Sequence, residues 1–477
     1  MIQPIVRNLF FSGIAVIILA SCSVPSKTVQ ENSLKVPALF SNSDTAGIPP
    51  VTWKQYFTDT NLVKLVSDAI ENNADLRIAW QRIIIAREGI NTSKGMMLPS
   101  VSGVISTGVD KYGDYTMNGV GNYDTNLSPN IDKNQHIPTP TTDIFLGLKS
   151  TWEIDAWGKL KAGTRAAFQH YLATQKGRQW LTTQLVATVA RLYYELMAYD
   201  NNMRIIHKNI QLQENALNVV KVQKEGGRAT ELAVQQFNAQ LLHTKSFEFE
   251  VKQHITDLEN QINILLGRFP QPVKRSDSLL NESLPSRLQA GIPSGLLENR
   301  ADVKEASFEL AASKANAEAA RKAFFPSITL NAYAGFNAFN PSLLFSTGSV
   351  AYGLLGGLTS PLFNKKQLKA NFAVANANQA QALYTYQKSI LQAFGEVETS
   401  LQAIENNKHL YALKREEAGA LTNAVNTAND LYLVGAASYL EVITAQKGVL
   451  DAELEVINGK KALLLATVDL YRALGGG

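Results

Sequence analysis

The sequence predicts a mixed, mainly α-helical fold with an internal two-fold repeat, in which long antiparallel helices accompany four membrane-crossing β-strands per chain. Three observations predict it. Short peptides recur at fixed offsets, two nearly uninterrupted helical stretches of about 70 residues appear, and four segments of about ten residues alternate in polarity.

The repeat comes first because it sets the frame for every element. Asn73-Ala74-Asp75-Leu76 returns as Arg300-Ala301-Asp302-Val303, and Pro99-Ser100-Val101-Ser102 returns as Pro326-Ser327-Ile328-Thr329, each 227 positions later. Gly227-Arg228-Ala229-Thr230-Glu231-Leu232 returns as Gly435-Ala436-Ala437-Ser438-Tyr439-Leu440, and Leu266-Gly267 as Leu474-Gly475, each 208 positions later. The drop in offset places extra residues in the first copy, and the polar, Gly- and Asn-rich run from Asp110 to Thr142 is where they fit. The expected organisation is a signal peptide over 1–21, an acylated N-terminal periplasmic segment over 22–59, a first repeat over 60–268, a linker over 269–297 and a second repeat over 298–477.

Each repeat opens with a helical stretch, Leu62 to Ser93 and Ala301 to Phe324, followed by a proline-marked break and two alternating segments. Val101, Gly103, Ile105, Thr107 and Val109 form a small or apolar row, with Ser102, Ser106 and Asp110 between them, which is the two-residue period of a strand with one dry and one wet side. The strands are expected over 100–113, 142–154, 327–337 and 349–362. About ten residues is the length a tilted strand needs to cross a bilayer. Four strands cannot close a membrane barrel, since the smallest have about eight and an open edge in lipid leaves backbone groups unpaired. The chain must therefore oligomerise, and three copies supply about twelve strands.

The remaining residues are helical. Gly158 to Lys224 and Asn364 to Val434 contain no proline, and at about 1.5 Å per residue each run is about 100 Å long. Leu185, Val189, Leu192, Leu196 and Met203 recur at three-to-four spacing with Gln and Asn among the intervening residues, as in helices packed side by side around something wet. Glycine-containing turns at Gly227 and Gly435 send the chain back as shorter helices, Thr230 to Leu266 and Ser438 to Leu474.

The first residues carry an export signal: Arg7, a mostly apolar run from Leu9 to Ala20, and Leu19-Ala20-Ser21-Cys22, which is similar to a bacterial lipobox. Cys22 is the single cysteine of the chain, and a lipidated thiol cannot mispair in an oxidising compartment. Ser23 follows it, which in the bacterial lipoproteins it resembles favours outer-membrane sorting. A net charge of +4, with Lys and Arg dispersed, argues against a nucleic-acid partner. The six histidines have no metal-ligand spacing, and no phosphate loop or nucleophile elbow occurs, so no cofactor beyond the covalent lipid and no catalysis is expected.

Several motifs resemble the TolC-like outer-membrane factors, in particular the lipoprotein branch serving resistance-nodulation-division (RND) pumps. Trp53, Phe57, Asp59, Leu62, Leu65, Asn73, Asp75 and Leu76 follow that family's N-terminal pattern. Leu284-Pro285 and Ala290-Gly291-Ile292-Pro293-Ser294-Gly295-Leu296-Leu297-Glu298-Asn299-Arg300-Ala301-Asp302-Val303 are close to its central signature. Trp152 to Gly158 and Pro361-Leu362-Phe363-Asn364 resemble its strand-to-helix junctions, and Tyr432 to Gln446 its periplasmic helical tip. Ala301 stands where the family usually has Pro, and Lys365-Lys366 where Gly-Gly is common.

The resemblance implies a homotrimer with a twelve-stranded barrel and a periplasmic α-barrel closing at its tip. It also implies an exit duct for a tripartite efflux pump, partnered by a periplasmic adaptor and an inner-membrane RND transporter. Tyr432 matches a gate position and Glu441 a position where the family often has an acidic ring, whereas Ala437 and Thr444 replace charged gate residues. A surface carboxylate remains the alternative for Glu441. A type I secretion duct and a non-conducting coiled-coil lipoprotein remain alternatives for the whole.

Overall fold

A computed structural model of the chain describes residue 37 and residues 52–284, 299–360 and 365–476. Residues 1–21, Cys22, most of the 22–59 segment, the linker over 285–298 and Pro361 to Asn364 lie outside the described residues. The described residues form two compact units, one from residues 85–171 and 309–383, the other from 52–84, 172–284, 299–308 and 384–476.

In chain order the elements are α1 (Trp53–Tyr56), α2 (Thr60–Asn72), α3 (Ala74–Gly95), β1 (Ser100–Asp110), α4 (Met117–Leu127), β2 (Thr141–Ile154), α5 (Lys159–Glu225) and α6 (Glu231–Leu265). Then follow α7 (Ala301–Lys322), β3 (Ser327–Ala338), β4 (Val350–Thr359), α8 (Lys365–Leu433) and α9 (Tyr439–Ala473). The two long helices hold 67 and 69 residues.

The first unit contains one antiparallel sheet in the order β1-β2-β3-β4. Its central pair joins the repeats, with Leu148 opposite Ala334 and Trp152 opposite Leu330. The register sorts the side chains by face. Val101, Ile105, Leu146, Leu148, Ala334 and Leu354 belong to one apolar face, and Ile105 is 82% exposed on it. Ser102, Lys149, Asn331 and Asn337 mark the other face. That second face also holds an aromatic patch: Phe145 meets Tyr333 edge-on with centroids 6.1 Å apart, and Lys149 Nζ lies 5.1 Å from the Phe145 ring. Tyr333 covers Gly353, where a Cβ would come within 2.5 Å of the ring and push it aside.

Two strands are shorter than expected. The first ends at Asp110 rather than 113, because Asp110 pairs with Thr141, the first residue of β2. The fourth runs from Val350 to Thr359, where Thr359 pairs with Ser327, the first residue of β3; of the expected 349–362, residues 361 and 362 lie outside the described residues. The extra stretch between β1 and β2 carries α4, capped by Thr116, whose Oγ1 accepts from the Gly119 N–H at 3.1 Å. Indole N–H groups fix the strand bases: Trp152 donates to the Met97 carbonyl at 2.9 Å and Trp157 to the Pro326 carbonyl at 2.6 Å. Asp155 then starts α5 by accepting from the Leu160 and Lys161 N–H groups.

The second unit holds the larger core, where Phe57, Leu62 and Leu65 pack with Tyr193, Leu196, Ile262 and Tyr471. Asp59 caps α2 by accepting from the Asn61 N–H at 2.8 Å, and also accepts from the Tyr193 and Ser276 hydroxyls. The helical stretch expected from Leu62 to Ser93 is broken at Asn73, whose Oδ1 accepts from the Leu76 N–H and restarts the helix as α3. Asn73 Nδ2 donates to the Leu265 carbonyl at 3.0 Å, at the last residue of α6.

The equivalent residue of the second repeat, Arg300, donates through Nη1 to the Ala473 carbonyl at 3.1 Å, at the last residue of α9. Arg300 is 1% exposed. It grips Asp302 with two nitrogens, reaches Glu396 at 2.8 Å and lies 4.9 Å from the Trp180 ring. Burial disfavours its charge, but the two carboxylates outweigh that and its pKa is raised. The glycine after each return helix also repeats. Gly267 has φ +63 and approaches the Asn72 carbonyl, and Gly475 has φ +96 and approaches that of Asn299.

Candidate functional site

The two expected gate residues border the turn between α8 and α9, which duplicates the turn between α5 and α6. Gly227 and Gly435 adopt φ of 76° and 81°, the left-handed region that suits glycine. In the first turn Gly227 N–H donates to the Lys224 carbonyl at 2.9 Å and Arg228 N–H to that of Gln223 at 2.8 Å. In the second, Gly435 N–H donates to Tyr432 at 3.1 Å and Ala436 N–H to Leu431 at 2.8 Å. Every donor and acceptor is shifted by the same 208 positions that relate the sequences. Thr230 and Ser438 then stand at the N-caps of the return helices.

The side chains at these turns differ. In the first, the Lys224 ammonium donates to Glu231 across the turn. In the second, Glu441 accepts from the Ser438 backbone N–H at 2.6 Å, the reciprocal arm of a capping box. Glu441 is exposed, so its second oxygen is open to solvent. Tyr432 is half-buried against a cluster that includes Phe237 and Val442, and burial pushes its hydroxyl pKa up, keeping it a proton donor. Thr444 is exposed and Ala437 half-buried. The third expected site residue, Cys22, lies outside the described residues.

Helix packing accounts for the histidines named next. His170 Nδ1 is 2.6 Å from Glu309, His254 stacks on Tyr199 and His243 packs on Phe247. Among the described residues no group of three His, Cys, Asp or Glu side chains could hold a metal ion. Among the same residues no helix is long and apolar enough to cross a membrane.

Two features escaped the sequence reading. Arg300 lies within the central signature, and Glu298, Asn299 and Asp302 around it made its charge look like one more polar position. A groove beside Tyr432, with Gln213 and Gln446 buried next to it, left no signal, because scattered Gln and Asn read as wet helix surface.

A duplicated chain with four amphipathic strands and two helices of nearly 70 residues returning on glycine turns has the build of a membrane channel subunit. Residues 65–268 and 292–476 match the family of outer membrane efflux proteins, and the chain belongs to that family. Its members are channels rather than enzymes, and its place is the outer membrane.

The chain is 28% identical to SilC of Salmonella typhimurium, an outer membrane lipoprotein by name, over 97% of both chains. It is 27% identical to the cation efflux system protein CusC of Escherichia coli K12, over 96% of this chain and 97% of CusC. A solved membrane protein of Pseudomonas aeruginosa superposes with a TM-score of 0.85 at 26% identity, covering 96% of this chain and 98% of that one.

Proposed function

We propose that three copies of this chain close a twelve-stranded barrel and form the passive exit duct of a tripartite efflux system. Substrates would reach it from a periplasmic adaptor and an inner-membrane RND-type transporter. The observation that carries this reading is the sheet: four strands, an apolar face and two terminal strands, β1 and β4, with no neighbour on their outer sides among the described residues. Such edges cannot stay unpaired in lipid. Because the strands alternate in direction, β1 of one copy can pair antiparallel with β4 of the next, and three copies reach a strand number found in membrane barrels. Native mass measurement of the detergent-extracted protein should give a trimer; a monodisperse monomer that keeps its strand content would overturn the reading.

Two further assignments belong to it. Cys22 carries the lipid anchor, supported by the lipobox and by the lipoprotein name of SilC. Mass spectrometry of the mature N-terminus should find an acylated Cys22, and an unmodified thiol or another start site removes the assignment. Tyr432 and Glu441 form the periplasmic constriction, supported by their shared place at the second turn and by the exposed carboxylate of Glu441. Three such carboxylates around one axis would attract cations and repel anions. CusC is named for cation efflux; selection of the cargo here is assigned to the pump, with the duct as a passive path.

A further inference from the structure

The extra stretch of the first repeat carries a helix built inside out. On α4 the side turned toward the protein is polar or small, with Gly119, Asn122 and Asn126 on one stripe. Asn126 donates to the Ile137 carbonyl at 2.9 Å and accepts from the Ile137 N–H at 2.8 Å, and Asn122 donates at 3.3 Å to the hydroxyl of Thr141, the first residue of β2. Gly119 lies directly on the Gly113 carbonyl, with no room for a Cβ. The outward side is apolar: Met117 is 88% exposed and Leu127 66%, with Val120 and Tyr123 exposed between them. A helix in water turns its apolar stripe to the core. Here polar ties hold the helix, and the apolar stripe has no partner within the described residues of the chain.

The surroundings indicate what covers it. α4 joins β1 and β2 at one rim of the sheet, the rim at which β3 ends and β4 begins, since Ile144 pairs with Ala338 and Phe336 with Val350. There the apolar face carries an aromatic band: Phe336 meets Phe345 with centroids 5.7 Å apart, and Tyr352 is exposed beside them. Such bands mark the level at which hydrocarbon gives way to headgroups. Tyr115 and Tyr123 add exposed rings at α4 itself. Asp124 is exposed within the apolar stripe. Copies meeting on this stripe would bring their carboxylates together, whereas at a lipid surface the carboxylate stays among the headgroups.

We infer that α4 is an interfacial anchor that lies along the bilayer surface, with Met117, Val120 and Leu127 in the acyl boundary and Asp124 at headgroup depth. It continues the aromatic band from β3 and β4 to the β1–β2 side of the sheet. The family's place in the outer membrane supplies the lipid. The readout is depth in the bilayer, so the inference succeeds or fails independently of the exit-duct reading.

The test uses the full-length protein in vesicles of phosphatidylethanolamine and phosphatidylglycerol, spin-labelled at a cysteine introduced by Val120→Cys or, on the polar side, by Thr125→Cys. The unsubstituted chain, labelled in parallel, is the blank. Spin resonance compares relaxation by oxygen, which concentrates in lipid, with relaxation by a nickel chelate, which stays in water. The oxygen-to-nickel ratio should be severalfold higher at 120 than at 125. Equal ratios overturn the inference, and so does dipolar broadening at 120, which would mean that copies meet on this stripe. Both positions are exposed, so neither substitution should disturb folding. Should one do so, Leu127→Cys and Asn118→Cys form a second pair that is read in the same way.

Discussion

In the first repeat the last carbonyl of the return helix is received by a neutral amide, Asn73, whereas in the second the equivalent carbonyl is received by the buried guanidinium of Arg300. The backbone around both is the same: a helix restarts, a glycine at positive φ passes close to a carbonyl, and the donor points at the end of the return helix. Duplication has thus preserved the hydrogen-bond geometry while the side chain that completes it diverged. The amide does its work alone. The guanidinium brings Asp302, Glu396 and Trp180 with it and ties α7, α8 and α9 into one ionic knot.

The largest expected effect lies in that contrast. Arg300→Ala strands the Asp302 carboxylate and the Ala473 carbonyl, leaves Glu396 with the Arg472 guanidinium at 3.5 Å, and should destabilise its surroundings by about 3 kcal/mol, the low end of the cost of removing one partner of a buried pair, because both carboxylates keep some solvent. Asn73→Ala loses one cap and one hydrogen bond, about 1–2 kcal/mol. Hydrogen exchange of the amides at 300–304 and at 73–77 reads each junction locally. Equal effects at the two sites would mean that the ionic knot adds nothing to the shared geometry.

Next come the glycines. Gly267→Ala and Gly475→Ala meet both a left-handed backbone and a carbonyl within 3.0 Å of the new Cβ, whereas Gly227→Ala and Gly435→Ala meet open space. The first pair should therefore lower the melting temperature more than the second, for which only the conformational cost of about 1–2 kcal/mol applies. A reversed order would mean that the turns, not the junctions, are the rigid points.

A smaller effect separates the two turns. Glu441→Gln can still accept from Ser438 and should leave stability within about 0.5 kcal/mol, while Glu441→Ala loses half of the capping box and costs about 0.5–1 kcal/mol. In planar bilayers both should reduce cation preference equally, because both remove the charge. Unchanged reversal potentials in a salt gradient would leave Glu441 a helix cap and nothing more.

The smallest effect concerns a contact between the repeats. The hydrogen bond that His170 Nδ1–H donates to Glu309 raises the His170 pKa above 6.5, so the stabilisation of this pair is complete below pH 6.5 and is lost as pH rises through the raised value. His170→Gln should flatten that slope in a melting-temperature profile, and an unaltered profile would assign the slope to another group.

Much of this was legible in the sequence because the repeat and the strand alternation are local signals that reinforce each other. Val101, Ile105 and Leu148 marked the apolar face before any pairing was known. Other features depend on distant partners. The break at Asn73 is held by Leu265, far along the chain, and no helical period contains that information. The helix α4 hides in a Gly- and Asn-rich run with weak propensity, and its Thr116 cap is a single residue among many polar ones. At the tip, Ser438 and Glu441 have the spacing of a capping box, so the structural role of that carboxylate could have been read beside the proposed ionic one.

The open edges of the sheet have a genetic consequence. In a ring built by pairing β1 of one copy with β4 of the next, the two contact surfaces are different, so a subunit damaged at one edge still offers a sound surface at the other. It would be recruited by healthy neighbours and would then block closure, the ring being short of one joint. Co-expressing the wild-type chain with a variant carrying proline in β1 should thus depress channel yield beyond simple dilution: a dominant defect written into a head-to-tail assembly.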